Sequence, residues 1–299
     1  MPERGCRNIT QRALAGCRNI TQRALAGCRN ITQRALAGCQ LVSSFVERAN
    51  NRMMESNHTL NKYAAQVSNL SIAYGSKQAV RQLSFQVGFS EIVAILGPNG
   101  AGKTSTMESL EGYKQPTQGT VTVLDMDPAK NQVKLAAQVG VMLQQGGVYP
   151  AMNPLQALKL FSSYYETPAK IDDLISLLSL DEFLKTPYRK LSGGEQKKLL
   201  LALSLIGNPK VLFLDEPTAG VDFEGRLAIR KLLVGLKERG AAILLATHEL
   251  NEAEKIADRI IIINHGELIA QGDIQSIRSQ YDARDLEEVY QKSMYDRGN

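Results

Sequence analysis

An apolar run at 91–96 (EIVAIL) leads straight into Gly97-Pro98-Asn99-Gly100-Ala101-Gly102-Lys103-Thr104. This octapeptide constrains the chain more than any other part of it. Its spacing is G-x-x-x-x-G-K-T, set between a strand predicted to be buried on both faces and a helix predicted over 104–111. Glycines at these positions let successive backbone N–H groups turn inward around phosphate oxygens, and the helix that follows adds the positive end of its dipole. Lys103 can then reach the β- and γ-phosphates, and the Thr104 hydroxyl can hold Mg²⁺. With Ser105, which follows directly, the segment Gly97–Ser105 is the expected nucleotide-binding loop. The competing reading, a glycine-rich turn with a surface lysine, does not account for every constrained position being met in the right context.

Further along, Val211-Leu212-Phe213-Leu214 is a second apolar strand, ending in Asp215-Glu216. In a parallel sheet both carboxylates then stand at the carboxyl edge, where open α/β sheets bind ligands. Asp215 suits the shell of a Mg²⁺ ion, and Glu216 suits orienting or deprotonating an attacking water. Taken alone, the pair could equally begin a helix. Between the two strands lies Leu191-Ser192-Gly193-Gly194-Glu195-Gln196, followed by a helical run over 197–206. Ser192 with Glu195 three residues on is a capping box. The same hydroxyl and glycine N–H groups at a helix N-terminus are an anion site. Both readings stand at this level. Alternating apolar and polar residues at 66–73 and 83–87 add two half-buried strands.

Composition removes several function classes. Hydrophobic residues make up 43% of the 299, so a sizeable core is available. No apolar stretch approaches the ~20 residues that a membrane-spanning helix needs. The net charge of +5 is concentrated at one end. Residues 1–63 carry ten basic and three acidic side chains, leaving 25 of the 35 basic and 27 of the 30 acidic ones to the remainder. A nearly neutral remainder carries no nucleic-acid footprint. All four cysteines (Cys6, Cys17, Cys28, Cys39) lie in the first segment, so no disulfide framework or cysteine-based metal site exists beyond it.

That first segment repeats CRNITQRALAG without change at 6–16, 17–27 and 28–38. An 11-residue period fits a right-handed supercoil, but each unit offers little apolar surface. The Arg-rich, acid-poor composition also fits an organellar transit peptide, and Asn8, Asn19 and Asn30 head glycosylation sequons. The preferred reading is a duplicated nucleotide unit translated from an upstream start, with Met53 or Met54 as the natural first residue. Residues 1–52 are therefore expected to form a disordered extension without function, and 53–64 a linker.

GPNGAGKT, LSGGE, VLFLDE and a later Thr247-His248 occur in that order. With these motifs the chain resembles the nucleotide-binding subunit of an ABC transporter over about 65–272. The LSGG signature separates that family from other P-loop ATPases. The resemblance implies an α/β fold: a P-loop NTPase core with a mostly parallel sheet, an antiparallel β subdomain, and an α-helical subdomain carrying LSGG. It also implies individual roles. Tyr74 matches the aromatic that stacks on adenine, although it could be an ordinary strand residue. Gln144, after a strand at 140–143, matches the glutamine that contacts Mg²⁺ and water, and Gln145 beside it is the alternative. Glu216 matches the catalytic base and Asp215 the metal ligand. His248, after a strand at 242–246, matches the histidine at the γ-phosphate, a role that leans on its neighbours. Ala219-Gly220-Val221-Asp222 matches the loop that communicates across the dimer, and Asp222 can be a helix N-cap as well.

In the family two such domains pack head to tail, each ATP lying between one subunit's phosphate loop and the other's signature helix. Ser192, Gly193 and Gly194 are thus expected to serve the partner's nucleotide. The family's commonest signature has Gln where this chain has Glu195, which bears on the strength of that contact. The implied partners are a second copy or a homologous ATPase subunit, and an integral membrane permease docking beside Gln144. No nucleic acid is expected. The implied location is the cytoplasmic face of the membrane, held peripherally. The segment VGVMLQQGGVYP at 139–150 looks most like subunits of drug and polysaccharide exporters. The 112 residues from Lys103 to Asp215 leave no room for a long coiled-coil insertion. The stretch 273–299 suggests a single helix rather than a regulatory domain. Two other functions compete with this one: a soluble ABC ATPase working on ribosomes or nucleic acid, and a regulator that binds nucleotide without turnover. The first fits poorly with near-neutral charge, the second with intact Lys103, Asp215, Glu216 and His248.

A protein beginning at Met53 is expected to keep the full chain's ATPase rate and solubility. Phosphate release and sedimentation of the two proteins side by side check this, and a collapse of either would show that the repeats matter.

Overall fold

A computed structural model describes residues 62–144 and 146–295. The expectations for 1–52, for most of 53–64, for Gln145 and for 296–299 fall outside the described residues.

Strands β1 (Tyr63–Tyr74), β2 (Lys77–Gly88) and β4 (Gln118–Val123) form an antiparallel sheet in the order β2-β1-β4. A six-stranded sheet runs β5 (Val139–Met142), β6 (Val211–Asp215), β7 (Ala242–Thr247), β3 (Ile92–Leu96), β8 (Arg259–Asn264), β9 (Glu267–Asp273). Its neighbours are parallel except β8 and β9, a hairpin at one edge. The helices are α1 (Lys103–Leu110), α2 (Gln132–Ala136), α3 (Pro154–Ser162), α4 (Ile171–Leu178), α5 (Gly193–Leu205), α6 (Phe223–Glu238), α7 (Leu250–Ile256), α8 (Ile274–Gln280) and α9 (Leu286–Tyr295).

The apolar runs read as doubly buried strands are so. Every residue of β3, β6 and β7 is buried. Successive side chains point to opposite faces of a sheet, and the two faces meet different partners. Val93, Ile95, Val211, Phe213 and Leu244 join Val67, Leu70, Ile72 and Phe85 of the antiparallel sheet in one core cluster. Ile92, Leu96, Leu212 and Leu245 fall outside that cluster and are equally buried, as the opposite face requires. The expected alternation holds over 83–87 in β2, but irregular register breaks it in β1, where Leu70, Ser71 and Ile72 are buried in succession.

Register decides where the site forms. Met142 stands opposite Leu214, Asp215 opposite Ala246, and Leu96 opposite Thr247. Four parallel strands therefore end at one edge, bringing together chain segments that follow residues 96, 142, 215 and 247.

Two boundaries differ from the sequence reading. β1 begins at Tyr63, inside the expected linker, because Tyr63 pairs with Gly88 of β2. The stretch 273–299 holds two helices where one was expected. Asp273 caps α8 by accepting the Ser276 N–H at 2.8 Å, and α9 buries Leu286 and Val289 and packs against α7. At seven residues α8 is too short for a periodic signal.

Phe213 is fully buried in β6 between the two sheets. Phe213→Ala is expected to cost about 3–5 kcal/mol, seen as a lower urea midpoint with an unchanged slope. A loss below about 1 kcal/mol would show that the site collapses around the cavity.

Candidate functional site

The loop leaving β3 closes on itself before α1 begins. The Ala101 N–H donates to the Pro98 carbonyl at 3.1 Å, and the Gly266 N–H from the β8–β9 hairpin donates to the Ala101 carbonyl at 3.0 Å. Gly102 caps α1 in a left-handed conformation, φ +104°, and a Cβ there would lie 2.6 Å from the Ala79 carbonyl oxygen. Only glycine satisfies both demands. Lys103 folds back over the loop and donates to the carbonyls of Gly97 at 2.6 Å and Pro98 at 3.2 Å. Burial holds its pKa below that of an ordinary lysine, while the charges of Glu216 and Asp215 pull it back up.

Asp215 and Glu216 lie at the end of β6, 6% and 5% exposed. Burial pushes the Asp215 carboxyl up, the Glu216 charge adds to this, and Lys197, Lys103 and a hydrogen bond from the Thr104 hydroxyl counter it. Glu216 has φ +52°, a region that non-glycine residues rarely occupy. It is pinned there on three sides. Its N–H donates to the Ala246 carbonyl at 2.9 Å, the Thr247 hydroxyl donates to Oε2 at 3.1 Å, and His248 Nδ1 lies 2.6 Å from Oε1. Strain of this kind, held by surrounding bonds, gathers at functional sites.

Ten of the expected residues line one cleft of about 610 Å³. Asn99, Gly100, Gly102, Lys103, Thr104 and Ser105 form its floor, Asp215, Glu216 and Gln144 one wall, and Tyr74 another. Gly97, Pro98 and Ala101 support the loop from behind rather than lining the cleft. The Tyr74 hydroxyl reaches Ser105 Oγ at 3.3 Å and donates to Glu108 at 3.0 Å. The Lys114 ammonium sits 4.1 Å from the Tyr74 ring centroid, a cation–π contact on one face of the ring.

A divalent ion fits this chemistry. The Thr104 hydroxyl and the Asp215 carboxylate are hard oxygen donors lining the same cleft. An adjacent cation would relieve the cost that burial imposes on Asp215. Among the described residues no group of three His, Cys, Asp or Glu could cage a metal. Mg²⁺ needs no such cage, since it takes one or two protein oxygens together with phosphates and water.

Ser192, Gly193 and Gly194 stand outside the cleft. They open α5, and both halves of the capping box are formed. The Glu195 N–H donates to Ser192 Oγ at 3.3 Å, and the Ser192 N–H donates to Glu195 Oε2 at 2.7 Å. The Glu195 charge thus serves its own helix start. A Cβ on Gly194 would lie 2.8 Å from the Gly220 carbonyl oxygen, so glycine lets the 219–222 loop close against α5. Asp222 caps α6 by accepting the Gly225 N–H at 2.7 Å, and it pairs with Lys198 at 3.6 Å.

Sequence reasoning did not single out Thr247 as a partner of Glu216, nor Lys197. Thr247 was visible only as the neighbour of His248. Lys197 carries no motif signal. Its ammonium donates to the Gln144 carbonyl at 2.8 Å and the Asp215 carbonyl at 3.3 Å.

A second concavity, about 560 Å³, lies beyond Gln144. Leu135, Val141, Leu143 and Leu200 make it apolar, and the exposed side chains of Tyr113 and Val133 flank it. Glu111 lines it with no ion-pair partner among the described residues. Burial, with the charges of Asp215 and Glu108, raises its pKa to about 7.

A family model described as ABC transporter matches residues 80–219. The Nod factor export ATP-binding protein I of Sinorhizobium fredii is 35% identical over 233 residues, covering 76% of this chain and 68% of the relative. A solved structure of an ATP-binding subunit of an ABC transporter superposes with a TM-score of 0.72. It has 26% identity and covers 77% of this chain and 99% of the other. The structure of cbiO1 from Clostridium perfringens, part of the ABC transporter complex cbiONQ, has a TM-score of 0.61 and 28% identity. It covers 71% of this chain and 89% of the other.

Glu111 makes a pH-dependent contribution with a definite sign. Between the ordinary carboxyl pKa of 4.5 and its raised value of about 7, the unfolded chain releases this proton while the folded one retains it. Stability falls as pH rises through that window, and the loss is complete above it. Glu111→Gln removes this loss. Its melting temperature should gain a few degrees on the wild type between about pH 5 and pH 8, read by thermal unfolding at matched scan rates. A constant difference would mean that the carboxyl titrates in its ordinary range.

Proposed function

The chain belongs to the ABC transporter family, as an ATP-binding subunit with an ATPase core, and from that premise we propose that it is the motor of an exporter, working in a pair on a separate membrane permease. One observation carries the chemistry: the Glu216 carboxylate, fixed by Thr247 and His248, stands beside Asp215 on a cleft whose floor is the phosphate loop. The proposed sequence of events uses groups already in place. The nucleotide's phosphates take over the loop N–H groups and the Lys103 ammonium, whose present acceptors are main-chain carbonyls. Tyr74 receives the adenine on its exposed ring. Thr104 and Asp215 would hold Mg²⁺, with Gln144 near it, and the ion would draw charge from the β- and γ-phosphates. Glu216 accepts the proton of the attacking water. His248 steadies that carboxylate through Nδ1 and leaves its other ring nitrogen for the γ-phosphate.

Two features support working in pairs. Ser192, Gly193 and Gly194 lie outside this chain's own cleft, at a helix start whose free N–H groups suit an anion. A second subunit's nucleotide is the ligand they fit, which makes each site a composite of two chains. ATP then favours the closed pair and hydrolysis releases it, a ligand-driven population shift.

The permease is inferred from the apolar groove beside Gln144. No helix among the described residues is long and apolar enough to cross a membrane; on this reading the membrane path belongs to another chain. A cytoplasmic helix of that chain, apolar on one side, suits the surface of Leu135, Val141, Leu143 and Val133. Docking there would place this subunit peripherally at the cytoplasmic face. Export is supported by the relative from Sinorhizobium fredii, named for Nod factor export, and by the exporter-like segment 139–150.

Glu216→Gln should lower steady-state phosphate release by about 10²–10⁴-fold while ATP binding persists in an equilibrium titration. Unchanged turnover would remove Glu216 as the base. The same variant, loaded with ATP and recovered from host membranes, should bring down a protein with spanning helices of its own. Soluble partners alone would defeat the transporter assignment.

A further inference from the structure

Lys197 lies on α5, one helical turn into the segment that opens with Ser192. Its ammonium leaves that helix and bonds two main-chain carbonyls belonging to different parts of the fold. One is Gln144, just past the end of β5, at 2.8 Å. The other is Asp215, the last residue of β6, at 3.3 Å. These are the main-chain anchors of the two residues assigned to the metal and the attacking water. A single cation therefore fixes their spacing and ties both to α5.

The Lys197 side chain is partly withdrawn from solvent, with the charges of Asp215 and Glu216 close by. Lys103 approaches the same carboxylates from the phosphate loop. Lys198 is the informative neighbour: adjacent on the same helix, it turns instead to Asp222.

We propose that Lys197 is a positioning residue that couples the two nucleotide sites of a pair. Ser192 stands about 7.5 Å up the axis from Lys197, at the end of α5 that would meet the partner subunit's nucleotide. A shift of α5 on engaging that nucleotide moves the Lys197 anchor and with it the main chain at Gln144 and Asp215. Each site is thereby brought into hydrolytic geometry by the other's occupancy. The inference rests on the paired ATPase reading above. It assigns Lys197 to turnover rather than to ATP affinity.

Two measurements on the full chain test it. In Lys197→Met, which keeps the stem and removes the donors, kcat should fall by about 10- to 100-fold while KM for ATP stays within about twofold. Hydrogen exchange across 143–147, followed without nucleotide, should quicken in that variant. Lys197→Arg keeps charge and donors and should stay near wild type in both readouts, so a poorly folding Met variant does not decide the matter. Lys198→Met should leave exchange at 143–147 unchanged. The proposal is overturned if Lys197→Met keeps its kcat within about twofold, if exchange at 143–147 does not change, if Lys198→Met quickens it equally, or if Lys197→Arg behaves as the Met variant does. The exchange readout needs no turnover. An inactive wild-type protein would therefore sink the ATPase reading, while exchange would still decide whether Lys197 holds the two strand ends.

Discussion

Three buried charges, Lys103, Asp215 and Glu216, meet the half-buried Lys197 at the carboxyl edge of the six-stranded sheet, and the arrangement around them follows from keeping them balanced. Burial lowers the pKa of each lysine, with the two carboxylates opposing it in part, and burial with the Glu216 charge raises that of Asp215, with the lysines opposing. Removing one member would leave an uncompensated buried charge, which is far more expensive than an exposed one. The lysines also bond main-chain carbonyls at Gly97, Pro98, Gln144 and Asp215. Charge balance thus fixes backbone as well as side chains. An incoming anion would meet a cluster already poised between two cations and two anions.

Around that cluster the chain accepts local strain. Glu216 occupies a left-handed conformation that glycine would adopt freely, and its bonds with Thr247, His248 and Ala246 hold it in place with the carboxylate on which the proposed chemistry rests. Gly102 and Gly194 are the complementary case. At both positions backbone approaches too closely for a Cβ, and side-chain chemistry is given up for proximity. The Ser192–Glu195 capping box stabilises the same atoms to which the proposed reading gives a binding role. It completes the start of α5, where Gly193 is exposed and Gly194 is buried.

The nucleotide cleft and the apolar groove share a boundary at Gln144. Its side chain lines the first, and its successors Gly146 and Gly147 line the second. Glu111 lines the groove, its pKa raised to about 7 by burial and by the charges of Asp215 and Glu108. A segment seated in the groove would press on the strand end that Lys197 holds. On the proposed reading, a membrane partner docked in the groove would have a short path to the cleft that Glu216 lines.

Much of this was legible beforehand because local rules are strict. A phosphate loop needs fixed glycine spacing, a doubly buried strand reads as an apolar run, and a capping box needs a hydroxyl and a carboxylate three residues apart. On those grounds β3, β6, the loop at 97–104, the cap of α5 and the cap of α6 could all be placed from the letters. The two-helix tail escaped because α8 is short and α9 is stabilised by packing on α7. Lys197 escaped because nothing in its own neighbourhood marks it: a lysine one turn into a helix reads as a solvated charge. By itself the sequence determined the phosphate loop, the acidic strand end and the family to which they belong. Only the tertiary structure decided that Lys197 and Thr247 join them, because strand register, with Asp215 opposite Ala246 and Leu96 opposite Thr247, brings distant segments to one edge, and no local pattern encodes which segments those will be.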